Sequence, residues 1–244
     1  MNLARLSLVA LLALSACTSN APADTAVADT AAPARVAQPP APRPNGKKRL
    51  LFFGNSLTAG FGVEPEEAFP GLIGQKIDSL HLPYEVVNAG LSGETTAGGR
   101  SRVGWILRQP VDVFVLELGG NDGLRGLPLA DTRRNLQGII DTVRRRSPGA
   151  QIVLAGMQIP PNLGPAYATE FKALYQEIAA KNHLALIPFL LQGVGGDRRL
   201  NQADGIHPTP AGHRIVARTM WTVLQPLLMK QDARTLDEHD RRID

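Results

Sequence analysis

The chain has 244 residues, of which 43% are hydrophobic and 20% charged, with 24 Gly, 19 Pro and one Cys. This length suits one domain of moderate size or two small ones. The net charge of +4 comes from scattered basic residues, whereas a nucleic-acid-binding protein would need a basic patch with a reader motif. A single Cys forms neither an intramolecular disulfide nor a Cys-based zinc site. Composition therefore excludes disulfide scaffolds and zinc fingers, and no nucleic-acid partner is expected.

The N-terminal residues form a short targeting pattern that accounts for the Cys. Arg5 gives a positive start, and residues 6–14 are an apolar stretch too short to span a bilayer. Leu14-Ser15-Ala16-Cys17 resembles the lipobox of bacterial lipoproteins, in which the Cys becomes the first mature residue and carries the lipid. This resemblance implies a signal peptide over residues 1–17 and a mature protein anchored to a membrane surface through Cys17. The alternative is an ordinary secretory signal in which Cys17 is incidental.

Two further segments are predicted to lie outside the folded part. Residues 18–46 are mostly Ala, Pro, Thr and Asp without apolar periodicity, which predicts a disordered, semi-rigid tether. Residues 230–244 are highly charged and predict a frayed C-terminal tail. The folded domain is therefore expected over residues 47–229.

Short apolar runs alternate with amphipathic stretches through this domain. The runs predict five strands, at residues 49–53, 84–87, 111–118, 151–155 and 184–189. The amphipathic stretches predict five main helices, at residues 68–80, 96–107, 131–146, 165–182 and 210–228. Strands that alternate with helices indicate a parallel sheet covered on both faces. The predicted fold class is α/β, a doubly wound three-layer α/β/α domain.

Four polar, Gly-containing segments follow predicted strands. Residues 54–58 (GNSLT) follow the first strand, residues 88–95 (NAGLSGET) the second and residues 119–123 (GGNDG) the third. Residues 204–208 (DGIHP) lie in the loop after the fifth strand. The carboxyl ends of parallel strands meet at one edge of the sheet, where α/β proteins bind their ligands. We therefore expect all four segments on the same rim.

These segments contain the side chains that acyl transfer requires. A Ser hydroxyl is a weak nucleophile until a base takes its proton, and a carboxylate fixes the tautomer of that base. Ser56 is therefore the candidate nucleophile, His207 the candidate base and Asp204 its carboxylate. The tetrahedral oxyanion needs preorganised donors. The backbone N–H groups of Ser56 and Gly93 and the side-chain amide of Asn121 can supply them.

The four segments resemble the four blocks of the SGNH (GDSL) hydrolase family. Residues 119–126 (GGNDGLRG) and 156–161 (GMQIPP) are similar to its bacterial periplasmic thioesterase, lysophospholipase and arylesterase subgroup. The resemblance implies the flavodoxin-like SGNH fold and a serine esterase that needs no cofactor and no metal. It implies aryl or short- to medium-chain acyl esters as substrates, with thioesters and lysophospholipids as further classes. Carried over residue by residue, the catalytic set falls on Ser56, Gly93, Asn121, Asp204 and His207.

One position departs from the family pattern, because the usual G-D-S is here Gly54-Asn55-Ser56. Asn keeps a comparable shape and an acceptor oxygen but loses the charge. We expect altered local hydrogen bonding and a changed rate rather than loss of the reaction. Two alternatives stay open: a carbohydrate O-deacetylase with the same residues, and a catalytically silent envelope binding lipoprotein.

Each site residue also has a structural alternative when taken singly. Ser56 after a strand is typical of a helix N-cap, and Gly93 and Asn121 are typical turn formers. Asp204 and His207 alone would be an Asx-turn and a surface histidine. The catalytic interpretation depends on the four segments occurring together and in this order.

Several other residues are predicted to be structural. Asp122 is expected to brace its loop, and His213 to be a packing or surface residue on the closing helix. Trp105 and Trp221 are expected in the core. No role is predicted for the remaining histidines, which are His81, His183 and His239.

The expected partners are a small-molecule or lipid ester and, through Cys17, a membrane surface. Thr18 stands where the enterobacterial pattern has the Asp that retains a lipoprotein at the inner membrane. We therefore expect the bacterial cell envelope, on the periplasmic side of the outer membrane. The sequence leaves the oligomeric state open.

Overall fold

A five-stranded parallel sheet forms the centre of the computed structural model, which describes residues 46–240, with side chains through Lys230. Its strands are β1 (Lys48–Gly54), β2 (Tyr84–Gly90), β3 (Val113–Glu117), β4 (Gln151–Ala155) and β5 (Ala185–Ile187). All neighbours are parallel, in the order β2-β1-β3-β4-β5. The predicted α/β fold is thereby confirmed. The predicted signal peptide, Cys17 and nearly all of the tether lie outside the described residues.

Helices cover both faces of the sheet. They are α1 (Ser56–Ala59), α2 (Phe69–Ser79), α3 (Thr96–Ile106), α4 (Gly120–Leu124), α5 (Leu129–Arg146), α6 (Pro165–Asn182) and α7 (Pro210–Asp240). Helix α2 packs against α7, whereas α5 packs against α3 and α6. The chain reverses its direction across the sheet after β2, so right-handed crossovers place these two groups on opposite faces. Within residues 46–240, no helix is both long and apolar enough to cross a bilayer.

The central strands end level with one another, and this positions the site. The apolar residues of β1 and β3 are at most 2% exposed, which explains why both strands appear as continuous apolar runs in the sequence. In the sheet register, Gly54 pairs with Gly90 on one side and with Glu117 on the other. The loops after β1, β2 and β3 therefore leave the sheet at the same rim.

Some element boundaries differ from the prediction. Helix α7 was predicted to end at residue 228, but it continues to Asp240, so the domain boundary expected at residue 229 lies inside it. The short helices α1 and α4 and the 3-10 turn Pro161–Leu163 were not predicted as helices. Elements this short contain too few residues for an apolar period to be visible.

The prediction of a core position for Trp105 is wrong, because this side chain is 62% exposed. Helix α3 turns Val103 toward the core, and a residue two positions further along a helix lies about 200° around its axis. Trp105 therefore faces solvent, where the Arg108 guanidinium lies 5.3 Å from its ring centroid. Trp221, by contrast, is partly buried against the core, as predicted.

The structural roles predicted for His213 and Asp122 are confirmed. His213 is 1% exposed, and its Nδ1 accepts a hydrogen bond from the N–H of Phe69 at 3.2 Å, at the start of α2. Asp122 is also buried, and it accepts hydrogen bonds from the N–H (2.9 Å) and the hydroxyl of Thr96. It therefore ties the start of α4 to the start of α3.

Candidate active site

Ser56 lies at the turn between β1 and α1, as the first residue of the helix. The helix is capped by Asn55, whose Oδ1 accepts a hydrogen bond from the Leu57 N–H at 2.9 Å. The alternative that Ser56 is the N-cap is therefore wrong. Its hydroxyl makes a different contact, with a histidine from the far end of the domain.

His207 and Asp204 form a continuous hydrogen-bonded chain with Ser56. The His207 Nε2 lies 2.8 Å from the Ser56 Oγ, and the His207 Nδ1 lies 2.7 Å from the Asp204 Oδ2. A carboxylate only accepts hydrogen bonds, so Nδ1 carries the proton and Nε2 accepts from the serine hydroxyl. This is the tautomer that a general base needs in order to take the hydroxyl proton.

The loop that carries Asp204 holds the carboxylate through its own backbone. The Asp204 Oδ1 accepts hydrogen bonds from the N–H groups of Ile206 and His207, at 2.8 and 3.0 Å. Together with the stronger imidazole bond, these donors lower the pKa of Asp204 to about 2. The side chain is 36% exposed, and it remains ionised through the whole neutral range.

Gly93 and Asn121 lie on the same rim, after β2 and β3. Gly93 has a φ of 78°, in the region that favours glycine, and a Cβ at this position would meet nothing within 4 Å. The space next to its backbone is therefore open. The Asn121 Nδ2 donates one hydrogen to the Glu94 carbonyl at 2.9 Å, which fixes the amide and leaves its second hydrogen for a ligand.

Beneath the serine turn lies a carboxylate that sequence reasoning missed. Glu117, the last residue of β3, is fully buried. It accepts hydrogen bonds from the Asn55 Nδ2 (2.8 Å), the Asn55 N–H (3.1 Å) and the Thr58 hydroxyl (2.7 Å). Burial raises the pKa of Glu117 to about 7, although these donors act in the opposite direction. One signal was present: a Glu that directly follows the apolar residues of a buried strand must be hydrogen-bonded.

Ser56 and His207 face an apolar cavity of about 410 Å³. Its walls come from α4 and from the loops that follow β4 and β5. The main apolar lining residues are Leu124, Met157, Ile159, Pro160, Phe189 and Leu191. A cavity with this lining favours an apolar group, because burial removes that group from water.

Comparison with known proteins identifies the family of this chain. Residues 52–215 match the GDSL-like Lipase/Acylhydrolase family. The chain belongs to this family. Esterase TesA of Pseudomonas aeruginosa is 40% identical over 180 residues, which cover 73% of this chain and 89% of that protein. Thioesterase 1/protease 1/lysophospholipase L1 of Escherichia coli K12 is 36% identical over 180 residues, or 73% of this chain and 84% of that protein.

A solved structure also shares the fold of this acylhydrolase. The crystal structure of TesA has a TM-score of 0.71 and 39% sequence identity, and the match covers 74% of this chain and 99% of that one. The sequence-based prediction of a GDSL/SGNH hydrolase is therefore confirmed. The chain is an ester-hydrolysing enzyme with the three-layer α/β fold of this family.

Two arginines of this acylhydrolase hold the loop of Gly93, and sequence reasoning missed both. Arg102 contacts both carboxylate oxygens of Glu94 at 2.6 Å and donates to the Ala89 carbonyl at 2.8 Å. Arg125 donates to the carbonyl oxygen of Gly93 at 3.2 Å. Their partners lie on other loops, so no local pattern in the sequence indicates either contact.

Proposed function

We propose that this acylhydrolase cleaves carboxylic esters through an acyl-enzyme on Ser56. The Ser56 Oγ attacks the acyl carbonyl while the His207 Nε2 takes the hydroxyl proton, and Asp204 stabilises the imidazolium that forms. His207 then gives this proton to the leaving alkoxide. A water molecule attacks the acyl-enzyme in the second half-reaction and releases the acid. The chain of 2.7 and 2.8 Å contacts from Asp204 through His207 to Ser56 is the observation that carries the proposal.

The oxyanion of each tetrahedral intermediate is proposed to bind three donors. Two are the backbone N–H groups of Ser56 and Gly93, and the third is the second hydrogen of the Asn121 Nδ2. The fixed orientation of the Asn121 amide supports this role, since donors that need no reorganisation stabilise developing charge most strongly. The open space beside Gly93 supports it as well, because an acyl oxygen can approach that backbone closely.

The cavity supports aryl or short- to medium-chain acyl esters as substrates. Its volume of about 410 Å³ lies toward the lower end of the range for small-molecule sites, roughly 300–1,000 Å³. The same nucleophile and donors serve a thioester, whose carbonyl is attacked in the same way. Thioesters and lysophospholipids are therefore proposed as further substrate classes, in keeping with the name of the Escherichia coli relative.

Apolar side chains on the rim loops support amphiphilic substrates. Five large apolar residues on these loops are 42–52% exposed: Phe61, Leu91, Leu124, Leu163 and Ile206. Exposed apolar groups that gather in one region are typical of a binding surface. A faster rate on micellar than on monomeric lysophospholipid would support this class, and an equal rate would contradict it.

We also propose that the protein is lipid-anchored through Cys17 on the periplasmic side of the bacterial outer membrane. The lipobox-like residues 14–17 and the Pro-rich segment that follows support this location. The test is metabolic labelling with palmitate, followed by membrane fractionation, for the natural chain and Cys17→Ser. Loss of both label and membrane association in Cys17→Ser is expected. An unlabelled natural chain would contradict the proposal.

The decisive experiment measures initial rates of the full chain on p-nitrophenyl esters from acetate to palmitate, beside Ser56→Ala. We expect the highest rates on short to medium chains and no turnover above background in Ser56→Ala. A Ser56→Ala protein with the wild-type rate would overturn the mechanism. Acetyl release from acetylated sugars without activity on longer chains would favour the deacetylase. Folded protein that fails to react with a fluorophosphonate would favour the silent binding lipoprotein.

A further inference from the structure

The residues beneath the nucleophile form a buried hydrogen-bonded unit, here called the floor, which consists of Gly54, Asn55, Thr58 and Glu117. We propose that Glu117 is a positioning residue for Ser56 and that Asn55 is matched to it as a donor, so that the serine turn stays intact at alkaline pH. The inference rests on the proposed role of Ser56 as the nucleophile. It concerns how the nucleophile is held and not whether it reacts.

The two carboxylate oxygens of Glu117 have different partners. Oε1 accepts from the Asn55 Nδ2, at 2.8 Å. Oε2 accepts from the Asn55 N–H at 3.1 Å and from the Thr58 hydroxyl at 2.7 Å. All three donors belong to the turn that carries Ser56. Glu117 therefore holds this turn on both sides of the nucleophile.

The Asn55 side chain connects Glu117 to the start of α1. Its Nδ2 donates to Glu117 while its Oδ1 caps α1 through the Leu57 N–H, so the amide orientation is fixed from both ends. Rotation of the amide by 180° would break both bonds at once. Because the Ser56 Oγ needs a set distance to His207, a small shift of this turn affects the rate directly.

The backbone above Glu117 is packed too closely to move sideways. A Cβ on Gly54 would lie 2.5 Å from the Glu117 Oε2 and 2.1 Å from the Thr58 Oγ1. These distances are far below van der Waals contact. The chain therefore lies directly on the carboxylate, and only glycine fits at this position.

Charged and titratable groups near the floor have partners other than the Glu117 carboxylate. The Arg102 guanidinium pairs with Glu94 and donates to the Gly54 carbonyl of the floor at 3.4 Å, and Asp122 is held by Thr96. On the side of α6, the Tyr175 hydroxyl donates to the Leu118 carbonyl at 3.0 Å. Among residues 46–230, whose side chains the structure describes, no cation lies within ion-pair distance of the Glu117 carboxylate. The donors of the serine turn, and not a counter-ion, therefore hold this carboxylate.

An Asp at position 55 would change this arrangement. One of its oxygens would take the place of the Asn55 Nδ2 and lie about as close to the Glu117 Oε1 as the donor does now. Two carboxylates at such a distance cannot both ionise, so they share a proton until the pH removes it. Above that pH, repulsion would displace the turn. Asn55 avoids this repulsion because its amide is uncharged and can still donate to the Glu117 carboxylate once that carboxylate has ionised.

The test compares Asn55→Asp, Glu117→Gln and the double variant in the full chain. In the double variant, the Gln oxygen can accept from Thr58 and from the N–H of residue 55, while its Nε2 donates to the new carboxylate. These hydrogen bonds are then kept, and only the bond between the side chains of residues 55 and 117 has its donor and acceptor exchanged. In Glu117→Gln alone, the Gln Nε2 faces the Asn55 Nδ2, donor against donor.

The readout is kcat and KM on p-nitrophenyl butyrate between pH 6 and 9.5. We expect Asn55→Asp to be active at pH 6 and to lose roughly tenfold in kcat by pH 9.5, with KM unchanged. Glu117→Gln should lose roughly tenfold in kcat at every pH, for the same reason. The double variant should return to within about threefold of wild type at every pH, because its hydrogen bonds are restored.

The matched control is Asn182→Asp, a buried asparagine between α5 and α6 that contacts Arg144. It should keep the wild-type pH dependence. Wild-type pH dependence in Asn55→Asp, or a double variant no better than Glu117→Gln, would overturn the proposal. If Glu117→Gln fails to fold, the loss of kcat at alkaline pH in Asn55→Asp and its rescue in the double variant still test the proposal. Ser56→Ala tests the nucleophile separately.

Discussion

Two carboxylates support the same serine from opposite environments. Asp204 lies on the solvated rim, where its side chain is 36% exposed and hydrogen bonds lower its pKa to about 2. Glu117 lies in the dry floor, where burial raises its pKa to about 7. Asp and Glu carry the same carboxyl group, so the difference between the two pKa values comes from the environment of each side chain. A carboxylate that must stabilise charge on a base stays ionised, whereas one that only fixes a turn tolerates a shifted pKa.

Because their environments differ, substitutions in the rim and in the floor should have different effects on kcat and on the free energy of unfolding. Rim residues act on the reacting atoms and their loops are partly exposed, so we expect their substitution to reduce kcat with little effect on the free energy of unfolding. Floor residues are buried, although Asn55 also borders the cavity, so we expect their substitution to affect stability and pH dependence as well. The following predictions test this separation, in order of decreasing effect.

The largest expected effect is that of Asp204→Asn. The Asn amide can donate to the His207 Nδ1, which would move the ring proton to Nε2 and remove the acceptor that the Ser56 hydroxyl needs. We expect kcat to fall roughly 10⁴-fold, with a melting temperature close to that of wild type. Stopped assays on p-nitrophenyl butyrate and thermal melts measure both. A loss of less than tenfold would show that the rim carboxylate does not orient the base.

Asn121→Ala is expected to have the next largest effect. It removes the proposed side-chain oxyanion donor and leaves the backbone donors of Ser56 and Gly93. We expect kcat to fall roughly 10²- to 10³-fold with little change in KM, because the bond to the oxyanion forms only in the tetrahedral intermediate. Steady-state kinetics separate the two constants. A rise in KM alone would instead assign Asn121 to substrate binding.

The third prediction uses the pH dependence of the free energy of unfolding, in which two buried groups act in opposite directions. Burial raises the pKa of Glu117 from 4.5 to about 7, so the folded state holds a proton that the unfolded state has lost, and stability falls as the pH rises through this window. Burial, with the charge of His207 as a smaller cause, lowers the pKa of His213 from 6.5 to about 4. There the unfolded state holds the extra proton, so stability rises with pH.

Each shift corresponds to about 3 kcal/mol across its window, so wild-type stability should change little between pH 4.5 and 6.5. Substitution of either group leaves the effect of the other on the pH dependence unopposed. In Glu117→Gln the free energy of unfolding should rise with pH, and in His213→Asn it should fall. Urea titrations at pH 4.5, 5.5 and 6.5 measure the slopes. The same flat profile in both variants would contradict the assigned environments.

The sequence predicted the rim of the site because each rim segment directly follows a strand. Apolar runs located the strands, and the polar residues after them, such as Ser56 and Asn121, carried recognisable motifs. The strand Gln151–Ala155 and the helix Pro165–Asn182 were predicted with the bounds observed. These elements combine strong periodicity with clear ends, which are the signals that a single sequence contains.

The floor could not be predicted in the same way. Glu117 meets Asn55 only because β1 and β3 are neighbours and Gly54 pairs with Glu117 in their register. Residue patterns fix which face of a strand is buried but not which strand lies beside it. The departure at Asn55 was visible in the sequence, and its partner was not. The exposed position of Trp105 was missed for a related reason, since α3 has few apolar residues to define its buried face.

The smallest effect is expected for Phe61→Ala. The Phe61 ring lies 4.6 Å from the His207 ring, centroid to centroid, and is 49% exposed. An aromatic contact of this kind contributes about 0.5–1.5 kcal/mol, and exposure to solvent keeps it near the lower limit. The ring restricts rotation of the imidazole without exchanging a proton, so we expect kcat to fall roughly threefold and the melting temperature to stay unchanged. Phe61→Leu, which keeps an apolar contact, is the matched control and should lose less. A loss as large as that of Asn121→Ala would show that this ring, as well as Asp204, sets the position of His207, and the roles assigned to the rim would then need revision.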